Sequence, residues 1–414
     1  MDRFKEVKEA LREAWLSESS TAQHESAYQV FVDFVKQNQT NVALFVLFVS
    51  LAIRQIVSKN REAAKKGANR QFLEAPDFPE VETLENFDWK KEDTVKLRAF
   101  KPKFHLTMDF SDESAIQNLN PSELITMDRT YSDRIAYRKR IIRESGDVCI
   151  GVNDDKRVGP AVRELYTFLL GTYLPKRFPN MFKLHYASFE TGTQFMFENL
   201  ITKQVFPAQP AQVTSTRILL QTLGSIVDED FLFLLPEEDS EDPKYTLEAY
   251  VCICPSGWNP PDKLGRRLAA IHGPVPGYAD KLEGSMDRYF KSLEVGKYVR
   301  RSNWSITQHE ELFSPDPNTN HGKADSEEKA LTEVDPGKTF LRTERQTLHR
   351  LPSSKAIVFA FKTYMDTLRD IKLEGLGDDL ADAIDGLKTG NAPAMNVYKR
   401  GPVWGEAVKG YLRS

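Results

Sequence analysis

The sequence predicts an α+β domain, a largely antiparallel sheet flanked by helices, preceded by a helical N-terminal region. Three observations predict it. Six strand-like runs, at residues 217–220, 231–235, 246–254, 298–306, 339–348 and 355–364, follow one another with few helices between them. Helical periodicities fall before and after this block instead of alternating with it, the pattern of a sheet whose strands pair antiparallel. A hydrophobic content of 40 % over 414 residues suffices for a core of that size.

Taken in order, residues 3–16 carry Phe4, Val7, Leu11 and Trp15 on one helical stripe, and Tyr28, Phe31, Phe34 and Val35 make a second. Residues 42–53 are uncharged and apolar, and Ile56 and Val57 extend the run past Arg54. A full membrane span takes ~20 apolar residues, so this run spans only if Arg54 snorkels; a buried or membrane-surface helix is the competing reading. Arg54, Lys59, Arg61, Lys65, Lys66 and Arg70 follow against Glu62 alone, and that basic flank marks a cytosolic side. The expectation is an anchor at 42–57 within an N-terminal region of residues 1–70, with the large domain in the cytosol. The apolar run starts too late, and without a basic stretch directly before it, for a cleavable signal peptide.

Residues 71–97, polar with Pro76 and Pro79, read as a linker, and residues 98–414 as the large domain. A strand is expected over 104–110. Asn120-Pro121-Ser122-Glu123 has the form of a helix start and predicts a helix to about Glu144. A second helix is predicted over 160–174, ended by Pro175. Two C-terminal helical pieces carry Leu380, Ile384 and Leu387, then Val403, Val408 and Tyr411.

Composition excludes some functions. A net charge of −4 leaves no basic footprint for nucleic acid. Three cysteines cannot build a disulfide framework, so a reducing compartment is the default, and Cys252 and Cys254 read as buried free thiols on one side of a strand. Gly375-Leu376-Gly377 lacks the third glycine of a dinucleotide loop, so no nicotinamide or flavin site is evident.

The densest stretch is Cys252 to Gly277. A strand stops at Pro255-Ser256-Gly257, and a helix restarts with Leu264, Leu268 and Ile271 on one face. His272 closes it before Pro274 and Pro276, which aims the imidazole as a metal ligand or acid/base group; a C-capping histidine in a structural turn is the alternative. Along Arg342-Thr343-Glu344-Arg345-Gln346, strand alternation puts Arg342, Glu344 and Gln346 on one face and Arg345 on the other. Burying such groups is costly unless they are paired or hold a ligand, which favours a polar pocket beside the apolar run Ala356 to Phe361.

The turn Ile271 to Gly277, Pro255 to Trp258 with Lys263-Leu264-Gly265, Arg301 to Ile306, Leu341 to Pro352, Arg350 to Tyr364 and Thr107-Met108 together resemble the haem-dependent oxidative N-demethylase alpha-subunit-like family, over about residues 98–412. The resemblance implies a PAS-like antiparallel sheet holding a b-type haem, with oxygen-dependent removal of a methyl group from a small amine. Electrons would come from a separate reductase of the flavin or NADPH type. It implies His272 as the axial ligand, with His105 as the alternative. Lys263, Arg266, Arg267, Arg342 and Trp258 are candidates around the cofactor. Glu229 or Asp230 is the candidate for holding a cationic amine, and Arg345 with Gln346 for organising propionate and pocket hydrogen bonds. Asp228 stands where the family usually has Gln, and His349 where it usually has Arg. A haem-based sensor and a non-catalytic membrane-anchored binding protein are the competing functions.

Overall fold

A computed structural model describes residues 72–97, 116–189, 192–316, 329–389 and 393–414. The N-terminal stripes, the 42–57 anchor, the strand over 104–110 and His105 lie outside the described residues. Among the described residues, no helix is long and apolar enough to cross a membrane.

The strands are β1 (Gln117–Asn118), β2 (Ile150–Val152), β3 (Phe182–Phe189), β4 (Gly192–Asn199), β5 (Val205–Pro207), β6 (Asp230–Pro236), β7 (Tyr245–Val251), β8 (Tyr298–Thr307), β9 (Phe340–Arg350) and β10 (Ile357–Thr367). A seven-stranded sheet runs β1-β8-β9-β10-β6-β7-β2 and a three-stranded one β3-β4-β5, with every pairing antiparallel. Five of the six expected runs are therefore present, as β6 to β10. Helices α1 (Tyr131–Cys149), α2 (Val158–Phe168) and α3 (Thr216–Ile226) share a core with the large sheet through Ile135, Leu165, Leu223, Phe231, Phe233, Val358 and Ala360. Then come α4 (Leu268–His272), α5 (Glu283–Ser292), α6 (Leu368–Leu373), α7 (Gly377–Thr389), α8 (Met395–Tyr398) and α9 (Gly401–Arg413). Around Leu368, Leu380, Ile384 and Val408 a second core forms against Trp304 and Leu341 of the sheet.

Several expectations are corrected. Residues 217–220 are the first turn of α3, not a strand: Ser215 caps it by accepting from the Ile218 amide, and Leu219, Leu220, Leu223 and Ile226 are buried at helical spacing. Asn120 does accept from the Ser122 amide at 3.0 Å, yet the helix it opens is one 3₁₀ turn, Pro121–Glu123, and the long helix begins only at Tyr131. Between them Asp128 takes the Thr130 amide at 2.9 Å and so competes with helical hydrogen bonding. Pro175 does not end the second helix; a wider turn, Leu169–Tyr173, leads into Leu174–Arg177 with Pro175 in its first turn, where no amide is needed. The stretch expected to be a linker is strapped to the domain: the Leu73 amide donates to Gly171 O at 2.7 Å, Thr172 Oγ1 donates to Leu73 O at 2.9 Å, and Leu73 and Val81 are buried.

One charge cluster lies entirely inside. Lys362 of β10 meets Asp128 at 2.5 Å and Asp228 at 3.7 Å, Arg134 meets Asp228 at 3.1 Å, and Arg138 meets Asp230 at 2.8 Å. Burial pushes the Asp128 carboxyl up, but Lys362 and Thr130 outweigh it and hold it below the usual range. Glu229 is the exception. It is fully buried, neither carboxylate oxygen has a hydrogen-bond partner among the described residues, and burial pushes it up to about 8 despite the nearby Arg345 and Lys362.

Two outcomes follow. Lys362→Met leaves Asp128 as a buried charge without its cation, while Asp228 keeps Arg134, and should cost roughly 3–5 kcal/mol in denaturant unfolding, whereas adding Asp128→Leu should return part of that loss. An unchanged midpoint in the single variant would contradict the role given to Lys362. For Glu229 the folded protein holds a proton that the unfolded chain releases near pH 4.5, so stability from this group is lost as pH rises from 4.5 to about 8. Glu229→Gln should flatten that slope in unfolding measured from pH 5 upward; an equal slope in both proteins would refute a neutral Glu229.

Candidate functional site

Strand alternation builds one wall of a cavity of about 350 Å³. In the β9–β10 register, Gln346 faces Phe361 and Leu348 faces Phe359, and all four line the cavity. Across β8–β9, Arg301 faces Gln346 and Asn303 faces Glu344. Leu232, Leu234 and Leu247 continue this wall on β6 and β7. The opposite wall is the chain from Ser256 to Phe290, with Trp258, Lys263, His272, Tyr278 and Met286, while Met395, Tyr398 and Lys399 complete the lining.

The helix that carries His272 is shorter than its sequence suggests. Pro260–Lys263 forms a 3₁₀ turn, Gly265 takes a left-handed φ of 71°, and its amide donates to Leu247 O at 2.8 Å. This edge contact with β7 holds the segment extended as far as Arg267, so that α4 has room for only Leu268–His272. His272 does stand at the helix end, as expected. Its Nδ1 lies 2.9 Å from Leu268 O, and since a carbonyl only accepts, Nδ1 carries the proton and Nε2 keeps the lone pair. The ring stacks on Tyr278 with centroids 5.0 Å apart. Burial, helped by Arg301 and Lys263 and opposed by the Leu268 bond, lowers its pKa to about 4, so the imidazole is neutral at neutral pH.

Two cations line the cavity near this ring. Lys263 donates to Ile271 O at 3.2 Å, and burial lowers its pKa. Arg301 has no hydrogen bond or ion pair at its guanidinium among the described residues; it lines the cavity while keeping solvent exposure, and packing against the walls lowers its pKa, an effect that Glu344 partly offsets. The carboxylate of Glu344 is held through one oxygen: Gln346 Nε2 donates to Oε2 at 2.8 Å and Asn303 Nδ2 at 3.4 Å. Its Oε1 is left without a protein partner among the described residues. Arg301 disfavours a charge on His272 and is itself favoured by Glu344, two residues from Gln346, the residue it faces across the strands.

Of the residues expected from sequence, the structure brings His272, Lys263, Trp258 and Gln346 together in this cavity. The others are elsewhere. Arg267 pairs with Glu237 and is largely exposed. Arg342 donates to the carbonyls of Cys254 at 2.8 Å and Leu312 at 3.2 Å. Arg345 donates to the carbonyls of Glu123 at 2.5 Å and Leu124 at 3.3 Å. Asp230 is saturated by Arg138 and by the amides of Ile253 at 2.9 Å and Cys254 at 2.7 Å. Glu229 is buried beside it and does not line the cavity. The carboxylate that can meet a cationic ligand is therefore Glu344, not Glu229 or Asp230. Glu344 was placed on the pocket face without a role, and Arg301, Asn303 and Lys399 were missed. Alternation across 298–306 and 342–346 contained the signal for the first three, whereas nothing local marks Lys399.

The two positions that depart from the usual residue also lie outside the cavity wall. Asp228 belongs to the buried charge cluster, and His349 is stacked on Tyr298 at 4.7 Å, with burial lowering its pKa to about 3.

The resemblance can now be tested over most of the chain. Residues 115–409 match the family model described as haem-dependent oxidative N-demethylase, alpha subunit-like. That span holds every cavity-lining residue named above, and the chain belongs to this haem-dependent oxidative N-demethylase alpha-subunit-like family.

Proposed function

We propose that the cavity binds one b-type haem through His272, and that the protein, supplied with O₂ and with electrons from a separate reductase of the flavin or NADPH type, oxidatively removes a methyl group from a small amine. The observation that carries this reading is the His272 tautomer. A neutral imidazole whose Nδ1–H is fixed on a backbone carbonyl offers Nε2 in the form and orientation an axial ligand needs. The remaining donor set fits the same group: aromatic and aliphatic walls for a macrocycle, and Lys263 with Arg301 for propionates. The sheet supports the PAS-like part of the reading. Its central strands lie β7-β6-β10-β9-β8, that is second, first, fifth, fourth, third, with the cavity under the segment that joins the second to the third.

When bound, haem supplies the oxygen and one-electron chemistry, and the chain supplies position, charge and exclusion of water. Glu344 receives the substrate ammonium on its free Oε1, while Gln346 and Asn303 keep the carboxylate from turning away. Leu232, Phe359 and Phe361 offer the amine methyl groups an apolar surface and leave the ammonium one polar contact to find. The description of the family as alpha subunit-like, with the lack of a dinucleotide loop in the chain, supports a partner that delivers electrons.

The full chain loaded with haem should show a Soret band that His272→Ala abolishes or shifts. In single turnover with reduced protein, O₂ and a panel of methylated amines, formaldehyde should appear. Glu344→Gln should keep the Soret band and weaken amine binding roughly tenfold to hundredfold, the range for a hydrogen bond to a charged group. An unaltered spectrum in His272→Ala overturns the ligand assignment. A stable oxygen complex with no formaldehyde across the panel would make the protein a haem-based sensor.

A further inference from the structure

The polar end of the cavity is finished by a part of the chain that no sheet strand supplies. Helix α8 and the residue after it, Lys399, belong to the C-terminal helical group with its separate core, yet Met395, Tyr398 and Lys399 line the cavity. Lys399 is 5 % exposed. Its carbonyl accepts from Trp404 Nε1 at 3.0 Å, which anchors it to α9. At the other end, Nζ donates to the Trp304 carbonyl and to Asn303 Oδ1 at 3.0 Å, and lies 5.1 Å from the centre of the Trp304 ring.

This arrangement decides which way Asn303 points. A side-chain amide has an accepting end and a donating end, and only the donating end can meet a carboxylate favourably. Lys399 occupies Oδ1, so Nδ2 is the end turned to Glu344, 3.4 Å away. With Lys399 removed, the 3.4 Å contact to Glu344 is the side-chain amide's one remaining hydrogen bond among the described residues, and the amide can swing away and withdraw the brace. A continuous relay results: Lys399 to Asn303, Asn303 to Glu344, with Gln346 on the far side.

We propose that Lys399 is a positioning residue for the cation subsite, turning Asn303 so that it braces Glu344 with one carboxylate oxygen free for a substrate ammonium. The inference rests on the amine reading of Glu344 given above. The charged groups facing Lys399 are Glu344 and Arg301, with Tyr398 beside it. Burial lowers its pKa to about 7, Arg301 adding to the effect and Glu344 opposing it. Below that pH the ammonium adds its charge to those of Lys263 and Arg301 against a cationic ligand; above it the amine still donates to Asn303 without repelling.

The test is calorimetric titration of the full chain with tetramethylammonium, a probe whose charge does not titrate. In the wild type, affinity should rise between pH 6 and pH 8, around the Lys399 value of about 7. At pH 8 Lys399→Met and Asn303→Ala should each weaken binding by roughly fivefold, the size of one neutral hydrogen bond, and the double variant should be no weaker than either. Lys399→Met should also lose the rise with pH, which a purely structural lysine would leave in place. Thermal unfolding of each variant checks that the fold is retained. If Glu344→Gln loses the probe while Lys399→Met binds it like the wild type, or if the single losses add, the positioning role is overturned and the cation subsite stands. If the wild type takes up no probe, or Glu344→Gln binds it unchanged, the subsite itself is wrong and the positioning role falls with it.

Discussion

The carboxylate of Asp230 is the joint on which the rest of the structure depends. It sits at the start of β6, accepts the guanidinium of Arg138 from α1, and accepts the amides of Ile253 and Cys254 just after β7. Those two amides lie past the last pairing of β7 with β6 and would be buried without partners. By satisfying them, Asp230 fixes where the chain leaves the sheet at Pro255, and so where the 256–290 wall begins. The charge cluster behind β6 and the His272 segment in front of it are thus one construction.

The same sheet keeps two chemistries apart because its side chains alternate. On β9, Glu344 and Gln346 face the cavity while Arg345 reaches the carbonyls of the Pro121 turn on the other side. Opposite Arg345 on β10 stands Lys362, which serves the buried aspartates. A slip of β9 by one residue against β10 would put Arg345 into the cavity and leave Glu344 and Gln346 in the core. The eleven paired positions of β9 and β10 are what prevent it.

Much of the fold was legible because its strands carry a period of two and end at strong turns such as Pro255-Ser256-Gly257. The failures have local causes. Four residues, 217–220, are too few to separate a strand from the first turn of a helix, and only the later Leu223 and Ile226 reveal the helical spacing. Asp128 breaks the helix that Asn120 announces, through contacts to Lys362 far along the chain. The β3-β4-β5 sheet went unread although Phe182 and Phe197 pack there, since its strands mix polar residues into both faces. In the site, the place of His272 at a helix end was legible from its prolines. Glu229 and Asp230 were offered as partners of a cationic amine because an acidic run before a strand looks available to a ligand until Arg138, Arg345 and Lys362 arrive from distant sequence to surround it. Lys399 was illegible for the same reason: its environment is made by β8, about a hundred residues earlier in the sequence.

The cavity lies on a seam. Its walls up to Phe361 share the larger core, but its last wall is hung on the smaller C-terminal core and comes from the final stretch of the chain. During synthesis the sheet and the His272 segment are therefore complete while residues 395–399 are still missing, and the cavity is then a trough open at the Glu344 end. Until α8 and α9 dock on the smaller core, Met395, Tyr398 and Lys399 do not cover the Glu344 end, so the closure of that helical group decides how far the polar end of the cavity is shielded from water.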